Sequence, residues 1–239
     1  MSKSFFIDTT LCMGCRGCQV ACKQWHDLPA EETQNLGTYQ NPQDLSFDTY
    51  KLVQMREAVV DGKLNWLFFP EQCRHCVEAP CLETAGDPSA IFQDAATGAI
   101  IYTANTRNLN VDEIIESCPY NIPRKAEDGT LAKCDMCLDR VQNGLLPACV
   151  KTCPTGAMNF GDRDEMVALA KDRLAIVKKN YSGAALLDVD SVNVIYLTAH
   201  APNLYHEFAV ASNATLPITR QVALRRMFRP VTNRVSRFI

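Results

Sequence analysis

The chain has 239 residues, too many for one small disulfide-stapled module and enough for one or two domains at about 150 residues each. Its 24 Lys and Arg against 27 Asp and Glu leave a formal charge of -3, without the basic excess that binding a phosphate backbone requires, so nucleic acid is not an expected partner. Hydrophobic residues at 47% and charged residues at 21% exclude general disorder, and the one anomaly is cysteine, with 12 residues.

The first segment, MSKSFFIDTTLC, has a single Lys and a short apolar run before Cys12, which leaves no room for an export signal and its cleavage site. Cys12-x2-Cys15-x2-Cys18-x3-Cys22 follows, and then a stretch rich in Pro, Asn, Gln and acidic residues, Leu28 to Ser46, that reads as loop. TYKLVQMREAVV and KLNWLFF flank Asp61-Gly62, a pair suited to a type I′ turn, and predict a β-hairpin at about 48–69. Next come Cys73-x2-Cys76-x4-Cys81, a solitary Cys118-Pro119, and Cys134-x2-Cys137-x11-Cys149-x3-Cys153-Pro154. Asp162 and Glu165 are spaced as a capping box, and Met166, Leu169, Ala170, Leu174 and Val177 recur at helical spacing, which predicts a helix over 163–179. SVNVIYLT at 191–198 predicts a mostly buried strand, being rich in β-branched residues. The charge-free stretch Ser191 to His206 is shorter than a bilayer span and contains Asn193, His200, Pro202 and Asn203, so no transmembrane helix is expected there. Beyond Glu207 there are six arginines, Arg220, Arg225, Arg226, Arg229, Arg234 and Arg237, and no acidic residue. Such a segment reads as a solvated tail or as a strap on an acidic partner. An internal echo is also present: P-C-L-E-T-A-G-D-P-S-A-I from Pro80 resembles A-C-V-K-T-C-P-T-G-A-M from Ala148, as if one unit had been duplicated and one copy had lost a Cys.

Cysteines three apart let one short loop point several thiolates at a single inorganic core, with a further ligand arriving from elsewhere, which is iron–sulfur spacing. In two-cluster ferredoxins the last Cys of a C-x2-C-x2-C-x3-C-P run serves the other cluster; Cys12 to Cys22 has that spacing, with Lys23 in the Pro position. Pro119 and Pro154 hold their preceding Cys extended, and Gly14 and Gly17 allow close approach of backbone to sulfide. Zinc knuckles normally contribute two Cys per loop, which makes four Cys within eleven residues awkward for tetrahedral zinc. Disulfides gain little from bridging Cys three apart, thioredoxin-like chemistry needs one reactive pair, and c-type haem needs a His where Arg16, Val77 and Leu138 stand.

KCDMCLDRVQNGLLPACVKTCPTGAM at 133–158, together with C-M-G-C-R-G-C-Q-V-A-C, C-R-H-C-V-E-A-P-C and C-P-Y-N-I-P, resembles the iron–sulfur electron-transfer subunits that accompany molybdopterin enzymes of the DMSO reductase family, over about residues 4–160. Within them the whole chain looks most like the iron–sulfur (beta) subunits of soluble periplasmic tungsten or molybdenum formate dehydrogenases of sulfate-reducing bacteria. The resemblance implies an α+β fold with two pseudo-symmetric ferredoxin-like halves, a β-hairpin insertion and a C-terminal extension: an iron–sulfur domain at 1–160, a helix-strand extension at 161–205 and a basic tail at 206–239. It implies three [4Fe-4S] clusters, held by Cys12, Cys15, Cys18 and Cys153; by Cys22, Cys134, Cys137 and Cys149; and by Cys73, Cys76, Cys81 and Cys118. A fourth cluster, usual in the family, lacks all four ligands, whose places hold Ala85, Asn108, Val111 and Ile114. Implied partners are a large catalytic subunit carrying a tungsten or molybdenum bis-pterin guanine dinucleotide and its own [4Fe-4S] cluster, and a soluble multihaem cytochrome c. The implied location is periplasmic, by co-export with the catalytic subunit, or else cytoplasmic. A subunit of a dimethyl sulfoxide, thiosulfate or polysulfide reductase, a free-standing polyferredoxin and a zinc-organised module stay open at this point.

No Ser/His/Asp set, phosphate-binding Gly loop or paired-carboxylate site stands out, so no catalytic residue is expected in this chain. His26, His75, His200 and His206 have no spacing for a metal and read as structural or surface residues. Met13, Val20, Ile122, Met136 and Leu138 are expected to form a dry sheath around the ligands. Arg16, Arg74, Lys133 and Lys151, each within two residues of a Cys, are read as solvated surface cations, with charge offset of a cluster as the competing account.

Overall fold

In the computed structural model, which describes residues 2–211, strand β1 (Lys3–Asp8) leads through a short 3-10 helix (Thr9–Leu11) and the first cysteines into helix α1 (Gly17–Trp25). Strands β2 (Leu52–Val60) and β3 (Lys63–Glu71) then pair antiparallel, with Val60 opposite Lys63. Asp61 and Gly62 between them have φ of 51° and 74°, the two positive values that a type I′ turn demands. The hairpin expected at 48–69 therefore forms, with its pairing carried on to Glu71. The middle of the chain uses short elements: α2 (Pro80–Ala85), β4 (Ile91–Gln93) antiparallel to β5 (Ile100–Tyr102), α3 (Val111–Glu116), and the paired β6 (Arg124–Lys125) and β7 (Leu131–Ala132). Helices α4 (Leu138–Gln142) and α5 (Ala148–Lys151) precede β8 (Met158–Asp162), α6 (Arg163–Val177), β9 (Ala185–Leu187) and β10 (Val194–Thr198).

The largest sheet runs β8-β1-β10-β9, with β1 parallel to β10 and antiparallel to β8. Both of its central strands are buried on two faces, so they are apolar at successive positions, and the alternation of side chains assigns each residue to one layer. Phe6, Ile195 and Leu197 point to one side, where Met166, Val167, Leu169, Ala170, Leu174 and Val177 of α6 cover them. Phe5, Ile7, Val194 and Tyr196 point to the other and pack with Met136, Met158, Phe69 and the thiols of Cys18 and Cys149. Each buried Phe, Ile or Leu contributes about 1.5–3 kcal/mol on this account. The sheet is thus a wall between a covering helix and the cysteine-bearing interior.

That interior has two halves. One joins β1 and β8 to the packed pair α1 and α5, and so draws on both ends of the cysteine region; the other joins β4 and β5 to the packed pair α2 and α3 from the middle. The architecture is α+β and ferredoxin-like, with small sheets and few helices. The helix expected at 163–179 forms as α6, but its capping box does not. Asp162 stands opposite Lys3 in the β8–β1 register, so its carboxylate accepts from Lys3 Nζ at 2.8 Å instead of capping the helix. The strand expected at 191–198 is β10, and it lies inside the main sheet, so residues read from sequence as an extension are part of the core. Residues 206–211 also pack inward, with His206 and Ala209 buried and Arg74 donating to the Ala209 carbonyl at 2.8 Å, so the chain does not leave the core at 206. The six arginines from Arg220 to Arg237 lie outside the described residues.

One ion pair ties sheet to covering helix. The buried Asp8 carboxylate accepts from Thr10 N and Oγ1 on one oxygen and from Arg173 Nε at 2.8 Å on the other. Removing the cation leaves a buried carboxylate without its counter-charge. Arg173→Met should cost about 3 kcal/mol, read as a fall of about 6–12 °C in the anaerobic unfolding midpoint, whereas Arg173→Lys should keep most of it.

Candidate metal centres

Three of the four C-x2-C loops, those opened by Cys12, Cys73 and Cys134, make the same turn; the fourth, Cys15-x2-Cys18, runs into α1 instead. The residue before the second Cys has positive φ in these three: Gly14 at 68°, His75 at 46° and Met136 at 68°. This left-handed residue curls the loop so that its own N–H faces the first sulfur. His75 N donates to Cys73 Sγ at 3.4 Å and Met136 N to Cys134 Sγ at 3.5 Å, and Gly14 N does the same for Cys12. Such converging N–H groups form a concavity for a negatively charged group. Only at 14 does the sequence signal the turn with glycine. A Cβ there would also sit 2.7 Å from the Phe68 ring, so space and backbone both require its absence.

No thiol is in a disulfide. Cys12, Cys15, Cys18 and Cys153 line one hollow of about 330 Å³, together with Met13, Val53, Pro70 and Met158. Cys73, Cys76, Cys81 and Cys118 line another of about 340 Å³, with Pro80, Ile100, Tyr102, Pro119 and Ile122. Between them, Cys22 stands close enough to Cys134, Cys137 and Cys149 to raise the pKa of all three. Cys149 also feels Cys18 and Cys134 also feels Cys73, so this middle set adjoins both of its neighbours. It is the packing of α1 on α5 that brings Cys22, from the first run, to Cys149.

Several of these groups would be held neutral as free thiols. Burial pushes Cys12 up to about 11 and Cys118 and Cys149 up to about 12, and it also raises Cys76, Cys81, Cys134 and Cys137. Cys153 shifts the other way: burial acts upward, but the N–H groups of Met158, Thr155 and Ala157 and the Thr155 hydroxyl outweigh it and lower the thiol. Four sulfurs around a hollow lined largely by apolar side chains, with N–H donors aimed at them, fit a cuboidal iron–sulfur core.

Cations complete the setting, and here the sequence reading needs correction. Arg74 and Lys133 are buried, not solvated. The guanidinium of Arg74 lies 4.0 Å from the centre of the Tyr196 ring and lowers Cys76; Lys133 Nζ lies 4.5 Å from the centre of the Tyr102 ring and lowers Cys81. Lys151 is exposed, as expected, and Arg16 is half-buried. Met13 and Val20 do not join a dry sheath, being 60% and 63% exposed, because their loop and the start of α1 lie at the surface; Met136, Ile122 and Leu138 do pack inward. His75 and His206 are buried structural residues, and His200 stacks edge-on to Tyr181. His26 is more than that: Nδ1 faces the Cys22 carbonyl and Nε2 faces Asp135, each at 2.9 Å, so both ring nitrogens donate. Burial works against its charge, yet Asp135 and Cys22 prevail and raise it to about 11. Lys51, buried beside the thiols, carries no signal in its sequence neighbourhood.

Three of the four positions lacking a fourth set of ligands, Ala85, Val111 and Ile114, share one apolar cluster with Ala79, Ile91, Ile100 and Leu131. Asn108 ends the adjacent 3-10 helix.

A family model for a 4Fe-4S dicluster domain matches residues 64–163. The chain is similar to formate dehydrogenase subunit beta of Megalodesulfovibrio gigas, 60% identical over 215 residues that cover 88% of this chain and 100% of that one. It is also similar to formate dehydrogenase 2 subunit beta (cytochrome c-553) of Nitratidesulfovibrio vulgaris, 49% identical over 87% of this chain and 99% of the relative. The formate dehydrogenase-O iron-sulfur subunit of Escherichia coli is 41% identical over 84% of this chain and 68% of its own length.

Gly14→Ala tests the repeated turn. It should damage the site lined by Cys12, Cys15, Cys18 and Cys153 and spare the others, seen as a lower content of bound iron than in the unsubstituted chain.

Proposed function

We propose, since the chain belongs to the formate dehydrogenase iron–sulfur (beta) subunits, that it is the non-catalytic electron-transfer subunit of such an enzyme and carries three [4Fe-4S] clusters. The gathering of twelve thiols into three groups of four is the observation that carries this reading. Cys12, Cys15, Cys18 and Cys153 ligate the first cluster, Cys22, Cys134, Cys137 and Cys149 the second, and Cys73, Cys76, Cys81 and Cys118 the third. Each cluster, when bound, supplies one-electron chemistry. The chain's own residues hold the thiolates, aim N–H groups at them, exclude water from the hollows and space the three sets in a row. The apolar packing of Ala85, Val111 and Ile114 supports a row of three, not four.

The partner is a larger catalytic chain that oxidises formate at a tungsten or molybdenum bis-pterin centre and has its own cluster. Exposed Cys15 and Met13 mark the face of the first set as the side that meets it. The third set lies at the other end of the row and faces a soluble multihaem cytochrome c, a reading supported by the cytochrome named for one relative. No helix among the described residues is long and apolar enough to cross a membrane. The complex is assigned to the periplasm, reached by export with the catalytic chain.

Iron and acid-labile sulfide should each come to about twelve per chain, four for each cubane. About sixteen irons, or stoichiometric zinc, would overturn the assignment. The exit can be tested separately. Glu78 and Glu116 are exposed near Cys76, Cys81 and Cys118, and reversing both to Lys should slow cytochrome reduction at low salt. Formate oxidation with a small dye should keep its rate.

A further inference from the structure

Lys51 stands immediately before β2 and is 2% exposed. Its Nζ donates to the side-chain oxygen of Gln72 and lies 3.4 Å from the Pro70 carbonyl, both neutral acceptors. Among the described residues no carboxylate is within ion-pair distance of it. An ammonium buried without a counter-charge is a strongly unfavourable arrangement, so its compensation must come from other charges close by. The Pro70 residue whose carbonyl it approaches lines the hollow of Cys12, Cys15, Cys18 and Cys153, and Tyr196, whose hydroxyl donates to that same carbonyl, packs in one cluster with Cys18 and Cys149. The groups that face it are the Tyr196 hydroxyl and thiols from two different sets, Cys18 of the first and Cys149 and Cys134 of the second. The third set has other cations, Arg74 toward Cys76 and Lys133 toward Cys81.

We propose that Lys51 is a fixed positive charge wedged between the first and second cluster sites, and that it raises the reduction potentials of both. The inference rests on the ligand sets proposed above. Each one-electron reduction adds a negative charge to a cluster, and a nearby ammonium that water cannot screen stabilises the reduced form. Its position between two sites means that one charge shifts two potentials, while the repulsion between electrons on neighbouring clusters is left as it was. Lys51 makes no ligand bond and acts only through its field.

The test uses the complex purified with its catalytic partner and a redox titration followed by electron paramagnetic resonance. In Lys51→Met the ratio of reduced to oxidised cluster at a fixed ambient potential should fall about tenfold at two clusters, a shift of about 59 mV for one electron, with the third cluster unmoved. Lys51→Arg should restore both potentials. If Lys51→Met loses iron, Lys51→Gln, uncharged but able to bond to Gln72, takes its place. Loss of iron from both uncharged variants with full retention and native potentials in Lys51→Arg also supports the role of charge. Unchanged potentials in a fully loaded Lys51→Met or Lys51→Gln protein, an equal shift of all three clusters, or loss of iron from all three variants would overturn it. A failure of the ligand sets themselves shows separately, as wild-type protein whose iron departs from twelve per chain.

Discussion

Thiolates held where water is excluded repel one another, and none of them can be screened by solvent, so each needs a donor or a cation at hand. The C-x2-C loop meets this need locally. Its left-handed third residue turns an N–H onto the first sulfur, and the same solution stands at Gly14, His75 and Met136. Side-chain charge is added to this: Lys51 from the start of the hairpin, His26 from the end of α1, Arg74 and Lys133 from positions next to Cys73 and Cys134. The hydrophobic wall of β1 and β10, with α6 behind it, keeps this arrangement dry.

The hairpin shows how one element serves two needs. Its base is buried, with Leu52, Val53 and Phe69 packed into the interior, and it carries Lys51 at one end and Glu71, next to Gln72, at the other. Glu71 is held below the usual carboxylate range, burial notwithstanding, because His206, Gln54 and Arg74 all stabilise its charge. The outer half is exposed at Val59, Leu64 and Trp66 and contributes little to the core. An insertion between two ligand loops is thus also the scaffold for buried charge.

Elements whose causes are local could be read from sequence. Cysteine spacing, the Asp61-Gly62 turn, the 3.6-residue pattern of α6 and the β-branched run of β10 each act over a few residues. What stayed hidden depends on partners far along the chain. Asp162 has the composition of a helix cap but meets Lys3 across a ladder, a contact 159 residues apart. Arg74 and Lys133 read as surface residues, and Lys51 carries no signal at all, because lysine and arginine almost never lie fully buried without a counter-charge; for Lys51 and Lys133 the groups that supply it are cysteines distant in sequence. His75 and Met136 adopt a backbone conformation that neither residue type advertises. The grouping of Cys22 with Cys149 follows from spacing only by resemblance; the packing of α1 on α5 supplies its physical basis.

The interleaving of the two halves sets an order in time. During synthesis the thiols of the middle half are all present once Cys118 has been made, and their α2, α3, β4 and β5 supports are contiguous. The other two groups wait for Cys149 and Cys153, and their wall is not closed until β10, at Val194–Thr198, slides between β1 and β9. Until then the earliest-made run, Cys12 to Cys22, stays without partners and open to oxygen and stray metals. A nascent chain of this topology has reason to remain guarded until its last strand is in place, and its long-range closure makes that interval a slow one.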